Sequence, residues 1–132
     1  MKRFRILWSL AVGAMDAATG FLLVFYPVRI LALIHVAPLP PESIALMRWI
    51  GTFVFSVGLS YVFALRKGAA AEAVWSFTSL VRLMVAFFLT VMIVEESLPA
   101  AWATVAITDG LVAIYQIWGL YEGWWKEDGR DE

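Results

Sequence analysis

The sequence predicts an all-α membrane protein, a four-transmembrane-helix bundle with a short interfacial helix between helices 1 and 2. Three observations predict it. Hydrophobic residues make up 62% of the 132-residue chain and charged residues 16%, against roughly 45–50% and about 25% in soluble domains. The apolar excess is gathered into four blocks, each long enough for the roughly 20 residues that a membrane-crossing helix needs. None of these blocks alternates polar and apolar residues as a membrane strand does, and a spanning helix satisfies its own backbone hydrogen bonds in lipid.

The elements follow in order within a single membrane domain, residues 1–132. The first span covers about residues 6–26 and follows a basic start of Lys2, Arg3 and Arg5. That start resembles a signal peptide, but the apolar run exceeds the roughly 7–15 residues of such a segment. Cleavage near Ala14 to Ala18 would also discard Asp16, so an uncleaved anchor is the expectation. Residues 27–37 are too short to cross. Pro27 suits a first helical position, and Arg29 and His35 punctuate an apolar run, which predicts a short helix lying in the interface. Pro38, Pro40 and Pro41 form a stiff connector.

The second span covers about residues 42–65, opening with Glu42 near the positive end of the helix dipole. Arg66, Lys67 and Gly68 form a turn. The third span covers about residues 69–94, and Glu95 to Pro99 form the next turn. The fourth covers about residues 100–122, followed by a charged tail, residues 123–132.

Lysine and arginine set the expected orientation. The amino-terminal start, the Arg66–Lys67 turn and the tail with Lys126 and Arg130 fall on one side, and Arg29 alone on the other. The positive-inside rule then places both termini in the cytoplasm, and the expected setting is a bacterial inner membrane that the chain crosses several times. Trp8, Trp124 and Trp125 are expected to mark the inner interface, and Tyr26 and Trp102 the outer one.

Composition narrows the chemistry. The chain has no cysteine and one histidine, His35, which excludes disulfides, thiolate metal centres and thiol redox chemistry and argues against a metal site. The net charge of −1 and the absence of a soluble basic surface point away from nucleic acid. No phosphate loop, nucleophile elbow or metal-binding signature is present, so the reading leans away from an enzyme.

Four ionisable residues nevertheless lie inside apolar blocks: Asp16, Arg48, Arg82 and Asp109. Each charge at a helix centre costs about 2.5–3.5 kcal/mol on the insertion scale. Two acids and two bases at overlapping depth are able to neutralise one another, and the planar fork of arginine suits carboxylates. The short turn after residue 94 makes the third and fourth spans antiparallel neighbours, so the preferred pair is Arg82 with Asp109. Asp16 would join from the first span, and Arg48 would reach Asp109 or Glu95 and Glu96. Small and hydroxyl residues flank each charge, including Ser9 and Gly13, Gly51 and Thr52, Thr78 and Ser79, and Ala113 with Gln116, as close helix contact requires.

Two uses of these charges compete. In one, they form a clasp that fixes which helix faces which. In the other, Asp16, Arg48, Arg82 and Asp109 line a polar intramembrane pocket for a lipophilic small molecule, a quinone or a proton path. Contact with a partner subunit is a third. His35 reads as an interfacial residue, Trp75 as packing, and Glu95 and Glu96 as a solvated turn.

The order of features resembles the DoxX-like small four-helix membrane proteins. The matching positions are Gly20, Leu22, Leu23 and Pro27 at the end of the first span, and Arg48, Gly51 and Gly58 in the second. Arg82 and Leu83 match in the third, and a fourth span carries one acid. The resemblance covers most of the chain through a loose motif and implies a four-helix bundle. Some DoxX proteins are membrane subunits linked to quinone-coupled thiosulfate oxidation, a role that a shared fold does not transfer.

The leading expectation is a small, non-enzymatic membrane protein, an accessory subunit or homo-oligomer held by a buried Asp–Arg network, with the lipid bilayer as its solvent and no cofactor. The alternatives are a binding protein or quinone-linked enzyme for a lipophilic molecule, with quinone or lipid as ligand, and a proton-coupled transporter.

Overall fold

A computed structural model describes residues 2–66 and 68–125, with the Lys2 side chain left out. The described residues form helices and connecting turns, with no strand among them. Helix α1 spans Lys2–Phe25, α2 Pro27–Leu33, α3 Pro41–Ala64, α4 Ala69–Val94 and α5 Ala103–Tyr121; a 3-10 turn at Ala100–Trp102 leads into α5. Lys67 of the second turn and the charged tail from Lys126 lie outside the described residues.

Four apolar stretches, Arg3–Phe25, Pro41–Ala64, Ala69–Val94 and Ala100–Tyr121, are 22 to 26 residues long. At roughly 1.5 Å per residue each reaches across the ~30 Å hydrocarbon core of a bilayer. Burial is inverted relative to a water-soluble protein. Phe21, Phe53, Phe77, Phe87, Leu111 and Ile114 are exposed, whereas Ser9, Asp16, Thr78, Ser79, Arg82 and Gln116 are buried. An exposed surface this apolar has to face lipid, so the chain is an integral membrane protein. Span hydroxyls are accommodated by donating to carbonyls of their own helix, as Thr52 does to Arg48, Thr90 to Ala86 and Thr108 to Thr104.

The chain packs as two units, Met1–Leu65 and Arg66–Glu132. In the first, α1 and α3 run antiparallel along a seam of glycines. A Cβ built on Gly13 would lie 2.6 Å from Tyr61 Cβ, and one on Gly58 would lie 2.8 Å from the Gly13 carbonyl oxygen. Seven residues along each helix the pairing repeats. A Cβ on Gly20 would lie 2.7 Å from the Gly51 oxygen, and one on Gly51 3.0 Å from the Gly20 oxygen. Side chains of ordinary size would hold these helices further apart. Glycine at these two levels lets backbone meet backbone, the packing available in lipid where no hydrophobic effect pulls helices together.

The segment after the first span is helical, as expected, with Pro27 at its first turn. It ends in a Schellman turn. The His35 N–H donates to the Ala32 carbonyl at 3.1 Å and the Val36 N–H to the Leu31 carbonyl at 3.0 Å. Leu31 and Val36, the apolar pair that accompanies this turn, are both buried. His35 takes the left-handed position at φ 63°, where glycine is usual. Its side chain is exposed, and Arg29 lies over the Tyr26 ring, 5.8 Å from its centroid.

In the second unit α4 and α5 form an antiparallel hairpin. Helix α4 ends in the same turn, with Glu96 at φ 58° and the Ser97 N–H donating to the Met92 carbonyl at 2.9 Å. Helix α5 ends with Gly123 at φ 68° and the Trp124 N–H donating to the Gly119 carbonyl at 3.1 Å. This last turn folds Trp124 and Trp125 back along the hairpin. Trp125 is buried and packs edge-on against buried Trp75, with ring centroids 5.2 Å apart. Trp124 meets Tyr115 at 5.6 Å and Trp118 at 5.4 Å. Trp125 is therefore part of a buried ring cluster.

Candidate functional site

The α4–α5 hairpin positions the central ion pair. Arg82 is the fourteenth residue of the Ala69–Val94 span and Asp109 the tenth of Ala100–Tyr121, so both sit near mid-span. The short connection after Val94 returns the chain antiparallel, which brings equal depths face to face. Arg82 Nη1 donates to Asp109 Oδ1, with the Arg82 side chain 4% exposed and that of Asp109 18%. The pair expected from depth and turn length is thus formed.

The residues around Arg82 explain how an arginine fits there. Arg82 shares the buried face of α4 with Ala71, Trp75, Thr78 and Ser79. Thr78 and Ser79 direct their hydroxyls to backbone, Thr78 to the Val74 carbonyl at 2.8 Å and Ser79 to the Trp75 carbonyl at 2.6 Å. Opposite, α5 buries Ala106, Val112, Ala113, Gln116 and Gly119. These mostly small residues let the two helices close around a long side chain. Gln116 lies seven residues after Asp109, as Trp75 lies seven before Arg82, so the antiparallel register puts the fully buried amide level with the indole.

The other two candidates belong to the first unit. Asp16 is buried, on the face of α1 that also carries Arg5, Ser9 and Val12. Arg5, read from sequence only as part of the basic start, is 2% exposed. Arg48 differs from the other three in being exposed. It borders a groove with Leu39, Pro41, Ile44 and Ala45. Among the described residues no group of three or more His, Asp or Glu side chains gathers as metal ligands do. What the arrangement supplies chemically is a fixed internal ion pair in α4–α5, a buried acid in α1, and an exposed guanidinium on α3.

Two contributors were not legible as site residues. Arg5 was hidden by its position in a basic run, which ordinarily marks an interface. The Trp75 cluster was hidden because nothing local to Trp124 and Trp125 distinguishes a belt from a core. Gly123, followed at once by two tryptophans, is the one signal that could have found it, since a left-handed glycine reverses the chain onto its helix.

No family model matches the chain, and neither a curated protein nor a solved structure does.

Proposed function

We propose that this protein is a non-catalytic subunit of the membrane, an accessory component or homo-oligomer, in which Arg82 and Asp109 act as a clasp between α4 and α5. The observation that carries the reading is the ion pair itself. A mid-span arginine held by an acid on the adjacent helix has its charge compensated inside the hairpin, so its hydrogen-bonding capacity is partly committed before any ligand arrives. The apolar exposed faces on all four spans leave room for a second copy or a partner subunit, and the resemblance of the sequence to DoxX-like proteins fits the same picture.

The proposed setting is a bacterial inner membrane; the distribution of lysine and arginine supports both termini lying in the cytoplasm. The absence of cysteine makes this directly testable. A single cysteine at Ser97 should react with a membrane-impermeant maleimide on intact cells, and one at Arg66 only after lysis. The reverse pattern would overturn the orientation.

Native mass spectrometry of the protein released from mild detergent tests the role. The proposal expects an oligomer or a partner subunit and no stoichiometric quinone. A quinone retained one-to-one by the natural protein and lost from Arg82→Leu would overturn it in favour of a ligand site.

A further inference from the structure

We infer that the groove at the start of α3 seats an anionic phospholipid whose phosphate is held by the Arg48 guanidinium. The groove is a shallow, open depression of about 450 Å³ lined by Leu39, Pro41, Ile44, Ala45 and Arg48. Arg48 is exposed on a membrane-spanning helix, and its neighbours Leu46, Trp49, Ile50 and Phe53 are exposed too. Arg48 apart, that face of α3 is apolar, as a surface turned to lipid is. Among the described residues no carboxylate or carbonyl accepts from this guanidinium. A charge left in that position draws its partner from what surrounds it, and the phosphates of the bilayer supply anions at the near interface.

The direction of the side chain favours this partner. Arg48 lies seven residues after Pro41, the first residue of α3, so its Cα sits roughly 10 Å along the axis from the helix start. Helical side chains lean toward the amino terminus, and for α3 that end is the nearer interface. A long arginine leaning that way brings its charge up to the headgroup level while its methylenes stay in the apolar layer. The other lining residues, Leu39, Pro41, Ile44 and Ala45, all precede Arg48 in sequence. The groove therefore runs from the guanidinium toward the interface, with apolar walls for the glycerol backbone and the top of an acyl chain. The planar fork of arginine matches a phosphate with two parallel hydrogen bonds. A headgroup carrying net negative charge is preferred because choline brings a competing cation to the same phosphate.

The test uses the full chain, delipidated in mild detergent and titrated by native mass spectrometry with dioleoyl-phosphatidylglycerol, dioleoyl-phosphatidylcholine and glycerol phosphate. Phosphatidylglycerol should bind at least tenfold more tightly than phosphatidylcholine. Arg48→Gln should abolish the preference and Arg48→Lys should keep part of it. Ala45→Phe should weaken binding by filling the groove while leaving the charge in place, and Arg29→Gln should leave the preference intact. Equal binding of the two lipids, an unchanged Arg48→Gln variant, or equal loss in Arg29→Gln would overturn the inference. Displacement of the lipid by glycerol phosphate would point instead to a free phosphate ligand. A dimer dispersed by Arg48→Gln would show that a second copy occupies the groove. Either result overturns it. The outcome is independent of the proposed role of Arg82, since the two readouts follow different residues and different ligands.

Discussion

Replacing Gly20 by alanine adds one methyl group to the α1–α3 seam, and the structure fixes what that methyl meets. Its ideal position lies 2.6 Å from Phe55 Cα and 2.7 Å from the Gly51 carbonyl oxygen. Ordinary carbon contacts need about 3.5–4.0 Å, so α3 has to retreat by about 1 Å, and because both atoms are backbone no rotamer change offers relief. A gap of that size forfeits roughly a quarter to a half of each contact along the seam. Overpacking of this kind costs about 1–3 kcal/mol, partly offset by the ~0.8–1.0 kcal/mol by which alanine exceeds glycine in helix propensity. Because the clash is with backbone on both sides, the upper part of that range applies, about 2–3 kcal/mol, and the net expectation is a loss of about 1–2 kcal/mol for Gly20→Ala. Gly58→Ala should behave alike, since its methyl would lie 2.8 Å from Ala17 Cα. Gly110 is the internal control, because a Cβ there meets only Ala86 Cβ at 3.9 Å; Gly110→Ala should be neutral or stabilising. Reversible unfolding in mixed micelles, followed by circular dichroism, measures all three. If Gly20→Ala and Gly58→Ala were as stable as the natural protein, the close-packed seam would be refuted.

Other consequences follow from the turns and the ring cluster. His35 and Glu96 occupy left-handed positions at φ 63° and 58°, so His35→Gly and Glu96→Gly should each stabilise by about 0.5–1 kcal/mol, relief of strain outweighing the added freedom of the unfolded chain. The same unfolding assay reads both, and a loss of stability would contradict the strain argument. A Cβ on Gly119 would lie 2.6 Å from Trp124 Cε3 and 2.9 Å from Trp75 Cζ3. Gly119→Val should therefore push Trp124 off the helix, shifting tryptophan emission to the red, and cost about 1–3 kcal/mol. Unchanged emission would mean that Trp124 does not pack there.

Much of the architecture was legible because a membrane simplifies the code. Length and hydropathy alone mark a span, and the short turn after Val94 together with matched depth selects Arg82 and Asp109 as partners. The same simplicity hid the rest. In a helix that is apolar all round, no polar face declares which side is buried, so Arg48, Arg82 and Asp16 look alike in sequence although Arg48 is exposed and the other two are buried. The glycines were recognisable as sites of close approach, but which carbonyl each one faces depends on the register of α1 against α3. His35 and Glu96 gave no warning of left-handed backbone, because neither is the glycine or asparagine usual at that position.

A double-mutant cycle on Arg82 and Asp109 tests the clasp most directly. Arg82→Leu removes the ion-pair partner of a carboxylate in mid-span and should cost about 2–4 kcal/mol, moderated because Asp109 is partly exposed. The combined Arg82→Leu, Asp109→Leu variant should recover much of that loss, giving a coupling energy of about 1.5–3 kcal/mol. Single effects that simply add, with coupling below about 0.5 kcal/mol, would show that the pair does not hold α4 to α5.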